Sequence, residues 1–119
     1  MANVNLKSLT TVLGENASIA DIPTTPSGIV SCSSNQVLKI NSLYVSNIDG
    51  TNTATIIADI YNGTNVLSYL VKGTSVGAGG AVNIVTVETP IYITENQSIR
   101  LTASASGDLS GFISYERIS

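Results

Sequence analysis

Apolar and polar residues alternate with a period of two along most of this 119-residue chain, in runs separated by clusters of Gly, Pro, Asn, Asp and Ser. Successive side chains of an extended strand point to opposite faces, so the alternation predicts strands with one buried face. The last third shows it best. Ile91-Tyr92-Ile93 is followed by the turn Glu95-Asn96-Gln97, then by a strand with Ile99, Leu101 and Ala103 inward and Arg100 and Thr102 outward. A closing strand runs from Gly111 to Ile118, and the pattern does not decide between Ile113 with Tyr115 and Phe112 with Ser114 and Glu116 as its buried side. Upstream, Ala54 to Tyr61 places Ile56, Ala58 and Ile60 on one face. Between Gln36 and Asn47 the apolar set Leu38, Ile40, Leu43 and Val45 skips one residue, which predicts a bulge at Asn41-Ser42.

Asp49-Gly50 and Asn62-Gly63 predict tight hairpin turns, since these residue types tolerate the positive φ such turns demand. Val66 to Val71 is nearly continuous in apolar residues and predicts a strand covered on both faces. After a glycine-rich loop from Gly73 to Gly80, Ala81 to Val87 is expected to turn Val82 and Ile84 to the core and Val85 and Val87 away. At the start, Val4, Leu6, Leu9 and Val12 mix strand and helix spacing and read as extended chain; Gly14-Glu15-Asn16 reads as a turn and Ala17 to Ile22 as a short strand. Pro23 and Pro26 then remove ladder donors from the link that follows. Residues 1–25 are therefore expected to be an N-terminal arm or edge strands, and 26–119 the sandwich domain. Turn signals at the spacing of about 8–12 residues predict an all-β fold, an antiparallel two-sheet sandwich, jelly-roll-like, with about eight strands.

Composition sharpens that picture. Forty residues are Ser, Thr or Asn, and only 11% are charged, where a soluble domain ordinarily carries about 25%. A surface so poor in ions has little electrostatic protection against association, and burying neutral hydroxyls and amides in a contact costs less than burying ions. Homo-oligomerisation, or docking on a larger assembly, is the expectation. Net charge is −3, and the five basic residues Lys7, Lys39, Lys72, Arg100 and Arg117 form no stripe, which disfavours nucleic acid as a partner. No apolar run approaches the roughly 20 residues that span a bilayer, so no membrane association is expected. Met1-Ala2-Asn3-Val4-Asn5 lacks the basic and apolar regions of a secretory signal, placing synthesis in the cytoplasm.

Candidate chemistry is sparse. Histidine is absent, which removes the commonest general base and the commonest transition-metal ligand. The eight carboxylates are spread about one per segment, most of them in or beside turns, where they usually shape the turn. The glycine-rich loop has no Lys-Ser/Thr pair and no helix behind it to hold a phosphate. Cys32 is the only cysteine; it permits no internal disulfide and reads as a buried, inert thiol. Five tyrosines and no tryptophan, scattered over separate strands, suit a core or sheet-face role better than a sugar-stacking platform. No enzymatic activity, cofactor or metal is expected.

The run Leu43-Tyr44-Val45-Ser46-Asn47, the strand Thr53 to Tyr61, the loop Ser75-Val76-Gly77-Ala78-Gly79-Gly80 and the ending Gly111 to Ile118 together resemble small β-sandwich virion proteins of tailed bacteriophages. The resemblance covers roughly residues 36–119 and fails over the first 35. It implies a non-enzymatic structural role in the virion: a capsid decoration (cement) protein, or alternatively a neck or tail component. The implied partners are further copies of the chain, a trimer being one candidate, and the major capsid protein or another virion protein. A glycan-binding or adhesin module is the alternative from a different class. Val4, Leu6, Leu9 and Val12 are the residues expected to dock on a neighbour.

Overall fold

The computed structural model describes residues 11–119, which fold into nine β-strands and no helix. In chain order these are β1 (Val12–Ile19), β2 (Ser27–Ser31), β3 (Val37–Asn47), β4 (Ala54–Tyr61), β5 (Val66–Val76), β6 (Ala81–Val85), β7 (Ile91–Ile93), β8 (Ser98–Ala103) and β9 (Leu109–Ile118). They form two antiparallel sheets. The first has the order β1-β9-β3-β6, with β7 also on β3, and the second has the order β2-β8-β4-β5. β6 pairs with Leu43–Ser46 and β7 with Leu38–Ile40, so together they act as one interrupted edge strand. Counted that way, the sandwich has four positions in each sheet. The chain changes sheet at every connection except β4–β5 and β6–β7, which is the jelly-roll arrangement.

The core lies between the layers and is built from the alternating positions. Ile56 and Ala58 of β4, Ile99 and Leu101 of β8, Leu38, Ile40, Leu43 and Val45 of β3, and Ile113 of β9 are all fully buried. On β9 the structure settles the question the pattern left open: Leu109, Gly111, Ile113 and Tyr115 face in, and Phe112, Ser114 and Glu116 face out. The missing Cβ of Gly111 matters there, since a Cβ would stand 2.7 Å from Leu101 Cδ1 and 3.4 Å from Ile22 Cδ1. The predicted bulge in β3 is present, with the β9 register shifting between Ile40 and Ser42. The Asn62-Gly63 hairpin is present too: Gly63 has φ +93°, and Asn62 Oδ1 accepts the Thr64 and Asn65 N–H groups.

Four local expectations are corrected. Gly14-Glu15-Asn16 is no turn but the middle of β1, whose eight residues pair with β9 without a shift. The ladder prevails over local turn preference because Glu15 is tied to β9 through its side chain as well. Asp49-Gly50 makes no hairpin. It lies where the chain passes from β3 in one sheet to β4 in the other, and Gly50 is not among the glycines with positive φ. Buried Asn47 organises that crossing by donating to the Asn52 and Val76 carbonyls and accepting the Asp49 N–H. β5 is an edge strand covered on one face only; three register shifts against β4 break its alternation, so residues out of phase can turn inward. Finally, Val85 is buried along with half-buried Val82 and Ile84, because the β3–β6 register shifts between Leu43 and Tyr44.

Candidate assembly surfaces

A sheet edge exposes unpaired backbone donors and acceptors, and natural proteins guard such edges with charges, prolines or bulges. The edge strands here are β1, β2, β5, β6 and β7, and between them they carry two charged residues, Glu15 and Lys72. Of the two, Lys72 alone is exposed. Glu15 is held by Arg117, and the Lys72 ammonium lies 4.5 Å from the centre of the Tyr69 ring. β2 and β5 have bulges, but β1 is regular from end to end. Its Val12 and Leu13 are 59% and 50% exposed, as are Leu67 and Tyr69 on β5 at 48% and 45%. Of the four residues expected to dock, Val12 therefore sits on the outward face of the β1 edge, opposite Ile118, while Val4, Leu6 and Leu9 lie outside the described residues.

Beside β1 the sandwich opens into a recess of about 280 Å³ lined by Gly28, Ile29, Val30 and Ser31 of β2 and by Tyr115 and Arg117 of β9. Arg117 forms its wall through three side-chain partners. Nε donates to Glu15 Oε1 at 2.9 Å, one terminal nitrogen to Gln36 Oε1 at 2.6 Å, and the other to the Tyr115 hydroxyl at 3.4 Å. Tyr115 donates in turn to Glu15 Oε1 at 2.9 Å. The Arg117 and Tyr115 hydrogen bonds hold the Glu15 carboxyl below its ordinary pKa, and the Arg117 guanidinium is raised by the same contact with Glu15. Tyr115 is pushed up, first by burial and then by the adjacent carboxylate. Cys32, one residue beyond β2, is 4% exposed, donates to the Gln36 carbonyl at 3.2 Å, and has its thiol pKa raised by burial.

The outer face of the second sheet carries a second polar cluster. Asp59 of β4 is 2% exposed although its side chain faces out, because it lies in a cross-strand row between Arg100 of β8 and Tyr69 of β5. Arg100 binds it with both ends of its fork, at 2.9 and 3.2 Å, and stacks 3.8 Å from the Tyr61 ring centre. The outer face of the first sheet is nearly neutral, with the Tyr44 and Phe112 rings 5.8 Å apart and Ser46 hydrogen-bonded to Ser110.

One cluster was invisible in the spacing of the acids. The loops at one end bring Asp49 and Asp108 into contact, with Asp21 adding its field. Burial and the Asp49 hydrogen bond raise Asp108, whereas the Thr51 N–H and Asn52 amide lower Asp49. These acids mainly bind backbone: Asp49 Oδ1 accepts the Thr51 N–H and Asp21 Oδ1 the Gly107 N–H. Among the described residues, no group of three or more His, Cys, Asp and Glu side chains is placed to hold a metal ion.

No protein-family model and no curated protein matches the chain. Among solved structures, one described in the words "Bacillus endospore appendages form a novel family of disulfide-linked pili" is similar to it, with a TM-score of 0.54 over 98% of this chain and 95% of that one. Sequence identity is 17%, so the likeness concerns the fold alone.

Proposed function

We propose that this protein is a non-enzymatic structural subunit that assembles with copies of itself and takes its place in a virion, as a capsid decoration protein bridging neighbouring shell subunits. The observation that carries the reading is the β1 side of the sandwich, where, among the described residues, β1 offers a regular, exposed edge whose one charge is tied to Arg117. Such an edge in a free monomer invites pairing, and covering it is how a structural subunit gains contact area. The sequence resemblance over residues 36–119 supports the virion as the assembly. Decoration would stabilise a shell by burying surface across its seams, so that separating the subunits costs more. Histidine's absence and the backbone duties of the clustered acids fit a protein that makes contacts and transforms no substrate.

The fold likeness to a pilus-related structure favours a second reading, a filament subunit. A filament linked subunit to subunit by disulfides needs at least two cysteines in each; Cys32 is single and buried, so this sequence does not supply such a run of disulfides. Light scattering on a concentration series, with negative-stain microscopy of the same samples, tests both. Small closed oligomers that bind to purified shells support decoration, helical filaments support the second reading, and a monomer at all concentrations sinks self-assembly altogether.

A further inference from the structure

We propose that the recess between β2 and β9 is the acceptor site for residues 3–7 of a second copy of the chain, which lie along the free edge of β2 and extend the second sheet by one strand. The inference rests on the self-assembly reading and names its contact. Among the described residues β2 is paired only with β8, so one side of its backbone has no described strand neighbour. The recess between β2 and β9 has an apolar floor of Ile29 and Val30 and a polar wall of Tyr115 and Arg117, the latter fixed by Glu15 and Gln36. At Gly28 nothing lies within 4 Å of where a Cβ would stand, so an incoming backbone can approach closely. Strand addition of this kind draws affinity from main-chain hydrogen bonds and specificity from pockets that take alternate side chains.

Asn3-Val4-Asn5-Leu6-Lys7 alternates in the phase this geometry needs, with Val4 and Leu6 on one face and Asn3, Asn5 and Lys7 on the other. The donor segment also starts from the right place. Thr11 exchanges two backbone hydrogen bonds with Ser119, at 2.7 and 2.8 Å, so the described chain begins at the end of the sandwich where Arg117 lines the recess. Ten extended residues reach about 33 Å. Lys7 is the one charge in the segment, and it meets an end of the sandwich where Glu15 and Glu95 outnumber Arg117; the Glu95 carboxylate holds the Asn35 N–H in the loop after β2.

The test uses the full chain with a benzophenone side chain in place of Leu6, mixed from isotopically light and heavy preparations, irradiated and mapped by mass spectrometry. Light-to-heavy cross-links from position 6 to residues 28–31 or 115–117 are expected. Cross-links confined to single chains, or light-to-heavy links landing on β5 or β6, overturn the acceptor assignment. As a second arm, Leu6→Asp in the otherwise unaltered chain weakens association by about tenfold or more while the circular dichroism spectrum is unchanged, since it removes one buried leucine from the contact. Unchanged association of Leu6→Asp overturns the proposal as well. If oligomers persist in light scattering but the cross-links map elsewhere, only the acceptor site falls. If no oligomer forms at any concentration, the self-assembly reading falls with it.

Discussion

Replacing Asp59 with alanine tests whether the outer face of the second sheet is held by a desolvated ion pair or merely decorated by a surface one. The carboxylate is 2% exposed and receives two Arg100 hydrogen bonds, at 2.9 and 3.2 Å. Breaking a buried pair by removing one partner costs about 3–5 kcal/mol, because the other charge is stranded. Here the Arg100 side chain is 19% exposed and retains the Tyr61 ring, so part of its hydration is recoverable. That lowers the expectation for Asp59→Ala to about 2–3 kcal/mol. At roughly 2.1 cal/mol/K per residue, a domain of this length has an unfolding entropy near 250 cal/mol/K, so the loss corresponds to a fall in Tm of about 8–12 °C. Arg100→Met strands the more deeply buried member and is expected to cost more, about 3–5 kcal/mol at neutral pH. The double variant Asp59→Ala/Arg100→Met leaves no charge unpaired, and its cost falls short of the sum of the singles by about 1–3 kcal/mol. Urea unfolding followed by circular dichroism measures all three. A loss under about 0.5 kcal/mol for Asp59→Ala, or strict additivity in the cycle, would refute the argument and return the pair to the ordinary surface class.

Gly111→Val places new atoms against Leu101 and Ile22, both fully buried, and is expected to lower stability by about 1–3 kcal/mol, read as a fall in the urea midpoint; an unchanged midpoint would mean that the core yields there at no cost. The Cys32 thiol, buried and with its pKa raised, should react with Ellman's reagent only as fast as the protein opens; full labelling within seconds in native buffer contradicts its placement. Glu15 has a depressed folded pKa, so its contribution is fully present above the unfolded value near 4.3 and is lost as pH falls through the folded one. Urea midpoints from pH 6 down to 3 should therefore drop less steeply in Glu15→Gln than in the parent, and parallel curves would show the Arg117 contact to be without consequence.

The division between what was legible in the residues and what was not follows the range of the forces involved. Strand identity, the bulge at Asn41-Ser42, the Asn62-Gly63 hairpin and the inward faces of β4 and β8 were readable because period-two alternation and turn chemistry act over a few residues. Segments whose pairing overrides local preference were misread. Gly14-Glu15-Asn16 looks like a turn until β9 lies beside it, and the apolar run of β5 looks doubly covered until its bulges and its edge position are known. The candidate site belongs almost wholly to the second category. Glu15, Gln36, Tyr115 and Arg117 come together across as many as 102 sequence positions, and the acids Asp49 and Asp108 likewise meet only through sheet crossings. By itself the sequence determined a two-layer β-sandwich with a surface short of ions, since both follow from local pattern and composition. The order of strands, and hence which edges stand open and what lines the recess between β2 and β9, was decided only by tertiary packing, because the inter-sheet crossings that set that order leave no periodic trace in the chain.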